Sequence, residues 1–302
     1  MKERDHHYCA KWSVQKHGWL GRAKSAVMRR DDSHMTVSTD SFTDVLYKVE
    51  DGLAWITINR PERYNAFRAQ TVDELVLSFK KAWADDAVGT IALTGAGDKA
   101  FCAGGDQKQR NETGDYGPSI SGLFEVEALH RVMRDVPKPV IAAVNGIAIG
   151  GGHVLHVLAD LTIAADTATF GQNGPRVGSF DAGLGSGYLA RVVGEKRARE
   201  IWFMLRRLSA EEALDWGLVN KVVPAAELHG EVRTWAATMN SYSPTALKVL
   251  KQSFNTDTEH FISVGNMAYT TLKLFGESDE AKEGITAFNE KRQPEFGKYR
   301  KN

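Results

Sequence analysis

Apolar residues fall into short runs between polar, glycine-rich turns, and two periodicities alternate along the chain. Tyr47 to Val49 and Leu53 to Ile58 flank Glu50-Asp51-Gly52, which predicts a β-hairpin. Val72, Leu75, Val76, Phe79 and Trp83 then recur at helical spacing behind Thr71 and Glu74, which read as a capping box, so an amphipathic helix follows. Strand-like runs at Thr90 to Thr94, Pro139 to Val144 and Leu161 to Ala164 alternate with helical segments near Leu123 to Met133 and after Gly151. Such alternation implies an α/β core with largely parallel pairing, over residues 41–224. Beyond about Ala225, positions such as Leu247, Val249 and Leu250 keep a helical rhythm and no strand pattern returns. A helical region over 225–302 is predicted, with assembly as its candidate role.

Two stretches need care. Val140 to Ala159 is free of formal charge, and Gly146 with Gly150 supplies a small-xxx-small spacing of the membrane kind. Asn145-Gly146 reads as a turn, however, Gly150 to Gly152 would break a helix, and His153 and His156 are polar, so strand, turn and buried helix is the reading. Gly95-Ala96-Gly97-Asp98-Lys99-Ala100 loosely fits a dinucleotide fingerprint, but Phe101 to Gly105 cannot open the helix that motif needs.

The 302 residues carry 38 Lys plus Arg against 38 Asp plus Glu, a net charge of zero that points away from nucleic acid and anionic membranes. A small molecule is the expected partner. The two cysteines, Cys9 and Cys102, argue against a disulfide framework and for a reducing, cytoplasmic setting, with Cys102 read as a buried small hydrophobe. Residues 1–34 hold four of the nine histidines (His6, His7, His17, His34) and eight basic residues without apolar periodicity. Residues 1–40 read as a disordered extension, neither signal nor transit peptide.

Candidate chemistry begins at two glycine turns, Phe101-Cys102-Ala103-Gly104-Gly105-Asp106 and Ile149-Gly150-Gly151-Gly152-His153. If they converge, the N–H groups of Gly105 and Gly151 can grip one carbonyl oxygen that becomes negative during reaction, because glycine lets a reacting group approach the main chain. His153 and His156 lack the glutamate of a zinc motif and read as core histidines, so no metal is expected.

Arg60-Pro61 with Asn65-Ala66, Ala103-Gly104-Gly105-Asp106, Asn145-Gly146 with Gly150-Gly151-Gly152, and Phe170-Gly171-Gln172 resemble the crotonase (enoyl-CoA hydratase/isomerase) superfamily from about residue 42 to 298. The resemblance implies a ββα spiral with a helical C-terminal trimerisation region, a homotrimer or homohexamer, and an acyl-CoA thioester as substrate, its oxygen on Gly105 and Gly151. Coenzyme A would enter as part of the substrate, with no tightly bound cofactor. Hydratases of the superfamily carry two catalytic glutamates at positions that here are Val154 and Gly174, so simple water addition lacks its acid and base. Gly178-Ser179-Phe180-Asp181-Ala182-Gly183 and Glu290 to Phe296 resemble instead the branch of 2-ketocyclohexanecarboxyl-CoA hydrolase and 1,4-dihydroxy-2-naphthoyl-CoA synthase.

That branch implies Ser179 and Asp181 at a second carbonyl, Tyr116 closing over the substrate, and an anion site (bicarbonate or chloride) at Gln172, Asn173, Gly174 and Trp202. Arg63, Ala103, Asp106, Gln107, Lys108 and Arg110 would contact substrate and CoA, with Phe288 and Lys291 reaching the nucleotide of a neighbouring subunit's CoA. Asp181 has an alternative reading as the cap of the following helix or partner of Arg176. A tyrosine of both relatives aligns with Gly276, and Tyr269, two helical turns earlier, is not expected to reach the site. Three functions follow: hydrolytic ring opening of a cyclic β-ketoacyl-CoA, favoured; Dieckmann ring closure; or a CoA-binding scaffold without turnover.

Overall fold

The computed structural model describes residues 38, 39 and 41–300; His6, His7, His17, His34 and Cys9, and the expectation of an N-terminal extension, lie outside the described residues apart from Ser38 and Thr39. The chain opens with the antiparallel hairpin β1 (Val45–Glu50) and β2 (Leu53–Ile58), followed by α1 (Ala69–Ala84). Next come β3 (Thr90–Gly95), β4 (Ala100–Cys102), α2 (Gln107–Thr113) and α3 (Val126–Asp135). A similar turn of chain repeats as β5 (Val140–Val144), β6 (Ile147–Ile149), α4 (Gly151–Leu158), then β7 (Leu161–Ala165) and β8 (Thr169–Gly171). After a π turn at Leu184–Tyr188 lie α5 (Leu189–Val193), α6 (Glu195–Phe203), β9 (Leu208–Ser209), α7 (Ala210–Asp215) and β10 (Lys221–Val223). Four helices close the chain: α8 (Leu228–Asn240), α9 (Pro244–Asp257), α10 (His260–Gly276) and α11 (Asp279–Asn289).

Two sheets result, ordered β1-β2-β3-β5-β7-β10 and β4-β6-β8-β9. In the larger, every pair after the hairpin is parallel; in the smaller, only β9 runs antiparallel. This is an α/β crotonase-type architecture, in which the chain alternates between sheets so that β3, β5 and β7 neighbour one another while β4, β6 and β8 do the same. The central strands β3, β5 and β7 are mostly apolar and almost wholly buried because both faces are covered. Ala54, Ile56, Ile58, Val140, Ala142 and Val144 face the main core, while Leu53, Trp55, Ile141 and Ala143 face a smaller core under Leu228, Val232 and Ala236 of α8.

Three expectations are corrected. The predicted strand runs leave out β4 and β6, the strands that deliver the glycine turns one strand after β3 and β5; three residues are too few to show a period. The capping box at Thr71 and Glu74 is absent. Helix α1 begins at Ala69, Thr71 Oγ1 accepts from the Arg68 N–H (3.2 Å), and Glu74 instead accepts from the N–H groups of Thr43, Asp44 and Val45 (3.1, 2.8 and 2.9 Å). The chain entering β1 crosses that helical face, and its unpaired donors need a buried acceptor. The helix near Leu123 starts only at Val126, because Ser119 and Ser121 tie the preceding segment into a loop.

No helix among the described residues is long and apolar enough to cross a membrane. The uncharged stretch from Val140 is strand, turn, strand and the buried helix α4.

Candidate active site

Strands β4 and β6 pair in parallel, so the glycine turns that follow them emerge side by side. A Cβ built on Gly104 would lie 2.9 Å from Gly151 N and 3.0 Å from Ile149 O, which shows how closely the turns approach. Gly150 takes φ 60°, and Gly151 opens α4, where the helix dipole favours developing negative charge. Among the described residues, neither Gly105 N nor Gly151 N donates to a backbone carbonyl. Aromatic rings wall the pair in: a Cβ on Gly105 would fall 2.5 Å from Tyr116, and one on Gly151 2.5 Å from Phe67.

The Arg60 and Asn65 motif holds the first turn in place. Asn65 Nδ2 donates to Ala96 O (2.9 Å) and Ala100 O (2.7 Å), and Phe67 brackets the turn through Phe67 N to Gly104 O (2.8 Å) and Asp106 N to Phe67 O (2.9 Å). Arg60, buried, pairs with Asp106 (3.0 Å) and Asp44 (3.5 Å). Asp44 is held below the usual carboxylate range: burial pushes it up, but hydrogen bonds from Arg68 and Thr71 outweigh that. Asp106, expected at the substrate, is thus spent on the framework; its other oxygen caps α2 through the N–H groups of Lys108 and Gln109 (both 3.1 Å).

A cavity of about 130 Å³ opens on these donors and gathers Ala103, Gly105, Gln107, Tyr116, Gly151, Gln172, Asn173, Gly174, Ser179, Asp181, Trp202 and Phe288 in its walls. Tyr116 stacks on Phe124 with ring centroids 4.3 Å apart. The same cavity brings in Tyr269 and His130, neither of which was picked out as catalytic from the sequence. Tyr269 Oη lies 3.2 Å from Asp181 Oδ2 and 3.1 Å from His130 Nδ1. This overturns the expectation that Tyr269 falls short. Gly183 allows it: a Cβ there would sit 2.6 Å from Gly265 N and 2.8 Å from Phe261 O, so α10 lies directly on the turn after Asp181 and presents Tyr269 to it.

Burial pushes the Asp181 carboxyl up to about 6, although its hydrogen bonds from Gly185 N–H (2.9 Å) and Tyr269 pull the other way. Its Oδ1 caps the π turn, the alternative reading of this residue, while Oδ2 faces Tyr269 in the cavity wall. Burial also drives Tyr269 well above the ordinary phenol value and lowers His130 to about 4. An ionised Asp181 only accepts, so Tyr269 donates to it and neutral His130 supplies Nδ1–H to the phenol oxygen.

Neither hydratase glutamate position has a carboxylate or room for one. Val154 is fully buried in the core, and a Cβ on Gly174 would press on Ser179 O (2.8 Å) and Trp202 (3.2 Å). The anion-site expectation survives only in part. Gln172 Nε2 is buried without an acceptor, but the Trp202 indole N–H already donates to Gly185 O (2.7 Å).

Other expected contacts lie elsewhere. Lys108 is exposed near Glu112 (3.9 Å), Arg63 is half-buried in the turn Pro61–Arg63, and neither borders this cavity. Arg110 is buried, donates to Gly178 O (3.3 Å) and lines a second chamber beside this cavity rather than the cavity itself. Phe288 and Lys291 border a groove of about 390 Å³ together with Asn173, Arg176 and Arg207. Cys102 is buried with its thiol pushed up to about 12, and His153 and His156 bond each other (3.1 Å) in the core, so none of the three is poised for chemistry.

Residues 48–299 match the family described as enoyl-CoA hydratase/isomerase, and the chain belongs to that family, the crotonase superfamily. It is therefore an enzyme class that acts on CoA thioesters without a tightly bound cofactor. Among similar solved structures is an enoyl-CoA hydratase from Mycobacterium avium subsp. paratuberculosis, 28% identical, TM-score 0.75, covering 84% of this chain and 98% of its own. A carnitinyl-CoA hydratase from Mycobacterium avium is 31% identical, TM-score 0.74, over 83% and 97%. An enoyl-CoA hydratase/isomerase from Pseudoalteromonas atlantica is 27% identical, TM-score 0.76, over 84% and 100%.

Proposed function

We propose that this protein hydrolyses a ring C–C bond of a cyclic β-ketoacyl-CoA, giving an acyl-CoA that ends in a carboxylate. The contact of Tyr269 with Asp181 in the wall that also holds Gly105 and Gly151 carries this reading. One polar centre suits a thioester oxygen, and the other suits a neighbouring ketone.

Water adds to the ketone carbon while the Asp181 carboxylate takes its proton; a group pushed up to about 6 is matched to that task near neutrality. Ser179, in the same wall, donates to the oxygen of the tetrahedral adduct. The ring C–C bond then breaks. Its electron pair passes to the α-carbon and on to the thioester oxygen, where the Gly105 and Gly151 N–H groups hold the enolate. The α-carbon regains a proton from Asp181, and Tyr269, backed by His130, keeps that carboxyl oriented as its charge changes. No step requires a carboxylate at residue 154 or 174, nor an anion beside Gln172.

The groove bearing Arg176, Arg207 and Lys291 suits the phosphate end of CoA. Exposed Phe254, Met267 and Leu274 on the C-terminal helices fit a trimer contact, which light scattering would report as three times the subunit mass.

The test is incubation with 2-ketocyclohexanecarboxyl-CoA, with pimeloyl-CoA as the expected product by mass spectrometry and no hydration of crotonyl-CoA. Conversion of succinylbenzoyl-CoA without ring opening would transfer the assignment to ring closure. No reaction with any acyl-CoA that binds would favour the scaffold reading.

A further inference from the structure

Beside the catalytic cavity lies a second chamber of about 470 Å³, and Tyr116, Phe124, Val126, Tyr269 and Leu272 border both. The catalytic cavity alone is smaller than the roughly 300–1,000 Å³ of small-molecule sites, whereas its neighbour is within that range. Gly276 sits in the second chamber's wall, on the α10 face that also presents Tyr269, Leu272 and Lys273.

Glycine is not required at 276 by the backbone. Its φ is not left-handed, it lies within α10, and a Cβ there would meet only Arg110 Nη2, at an ordinary 3.6 Å. A glycine that neither a left-handed turn nor close packing demands leaves space as its contribution.

Arg110 says what the space is for. It is 8% exposed, its Nη2 donates to Gly178 O (3.3 Å), and its guanidinium lies over the Tyr116 ring at 6.0 Å. Its Nη1 is buried with no acceptor, and among the described residues no carboxylate pairs with it. The other charged groups in the walls are Asp115, Lys273, Glu277 and Lys282, all exposed, and half-buried Glu127. A buried cation with an unpaired donor is costly unless an anion completes it.

Resting on the ring-opening reading, we propose that the chamber at Gly276 is an acyl subsite. It takes a ring substituent that ends in a carboxylate, received by the Arg110 guanidinium, whose Nη2 lies toward Gly276. The preferred substrate is then a cyclic β-ketoacyl-CoA with a carboxyalkyl side chain rather than the bare ring.

The test compares kcat/KM for three 2-oxocyclohexanecarboxyl-CoA thioesters: unsubstituted, bearing a carboxyethyl chain, and bearing the corresponding amide. The carboxylate should be preferred over the amide by roughly 10- to 100-fold, the range of a charge-assisted hydrogen bond. Arg110→Met should abolish that preference and Arg110→Lys should retain part of it. Gly276→Phe should lower the ratio of chain-bearing to bare ring at least about tenfold, since its ring would occupy the chamber. Equal rates for carboxylate and amide, or a preference that survives Arg110→Met, would overturn the subsite while leaving ring opening intact. Should no ring open, ring opening is refuted, and calorimetry on wild type and Gly276→Phe decides the subsite. Octanoyl-CoA and its ω-carboxyl counterpart should then differ about tenfold in Kd in wild type alone; equal Kd values would refute it.

Discussion

Replacing Tyr269 by Phe removes one oxygen and keeps the ring that packs in α10. Asp181 then retains only the hydrogen bond from Gly185 N–H (2.9 Å), and His130 Nδ1 loses its partner. The lost bond is one of the two influences that hold Asp181 below where burial alone would drive it, so its pKa must rise above the native value of about 6. A hydrogen bond to a charged acceptor contributes about 1.5–3 kcal/mol, which corresponds to about one to two pH units. The acidic limb of the kcat/KM profile, expected near pH 6 in the native enzyme because the base must be ionised, should move up by that amount. An Asp181 raised by that amount is about one half to one tenth ionised at neutral pH, so turnover there should fall about 2- to 10-fold. Ring-opened product quantified by mass spectrometry between pH 5 and 9 supplies the profile. A limb that stays where the native enzyme has it would refute the coupling of Tyr269 to Asp181 and with it the role given to both.

Three further outcomes follow from the same geometry. Asp181→Asn should abolish turnover yet stabilise the fold above pH 6. Because the folded pKa is raised from 3.8 to about 6, the group's stabilising contribution is full below about 4 and lost as pH rises through 6; a gain of order 1–3 kcal/mol in denaturant midpoints at pH 8, absent at pH 4, is expected. Arg60→Met leaves buried Asp106 without its cation beside the first glycine turn, while Asp44 keeps Arg68, and should destabilise by about 3–5 kcal/mol, read by thermal melting. Gly151→Ala keeps the N–H but brings a methyl to 2.5 Å from buried Phe67, displacing the turn; it should cost roughly 10²–10³ in kcat, as misplacing an oxyanion donor does, with a melting temperature lowered by the overpacking.

The parts of this site legible in the sequence are those whose chemistry is local. Gly105 and Gly151 announce themselves because only glycine permits the approach their N–H groups need, and Val154 and Gly174 announce the missing acid and base by what they lack. The alternation of strand and helix was readable because β3, β5 and β7 are long enough to show their apolar faces, whereas three-residue β4 and β6 were not. Tyr269 was out of reach for a different reason. Its distance from Asp181 is set by how closely α10 crosses the π turn, and that depends on Gly183 admitting the α10 backbone at Phe261 and Gly265, positions with which it shares no motif. The i, i+7 relation of Tyr269 to Gly276 was the available signal, since two turns of helix return to the same face. Arg110 shows its type in the sequence but not its burial, which depends on α2 packing beneath Gly178.

The central claim is that an enolate held by Gly105 and Gly151 is released by water attack at a second carbonyl beside Asp181. It is tested most directly by running the reaction of 2-ketocyclohexanecarboxyl-CoA in H₂¹⁸O and fragmenting the product. One ¹⁸O in the new terminal carboxylate, none in the thioester, and CoA still attached is the predicted result. Label in a free acid with CoA released, or water added across a double bond of an enoyl-CoA, would contradict it.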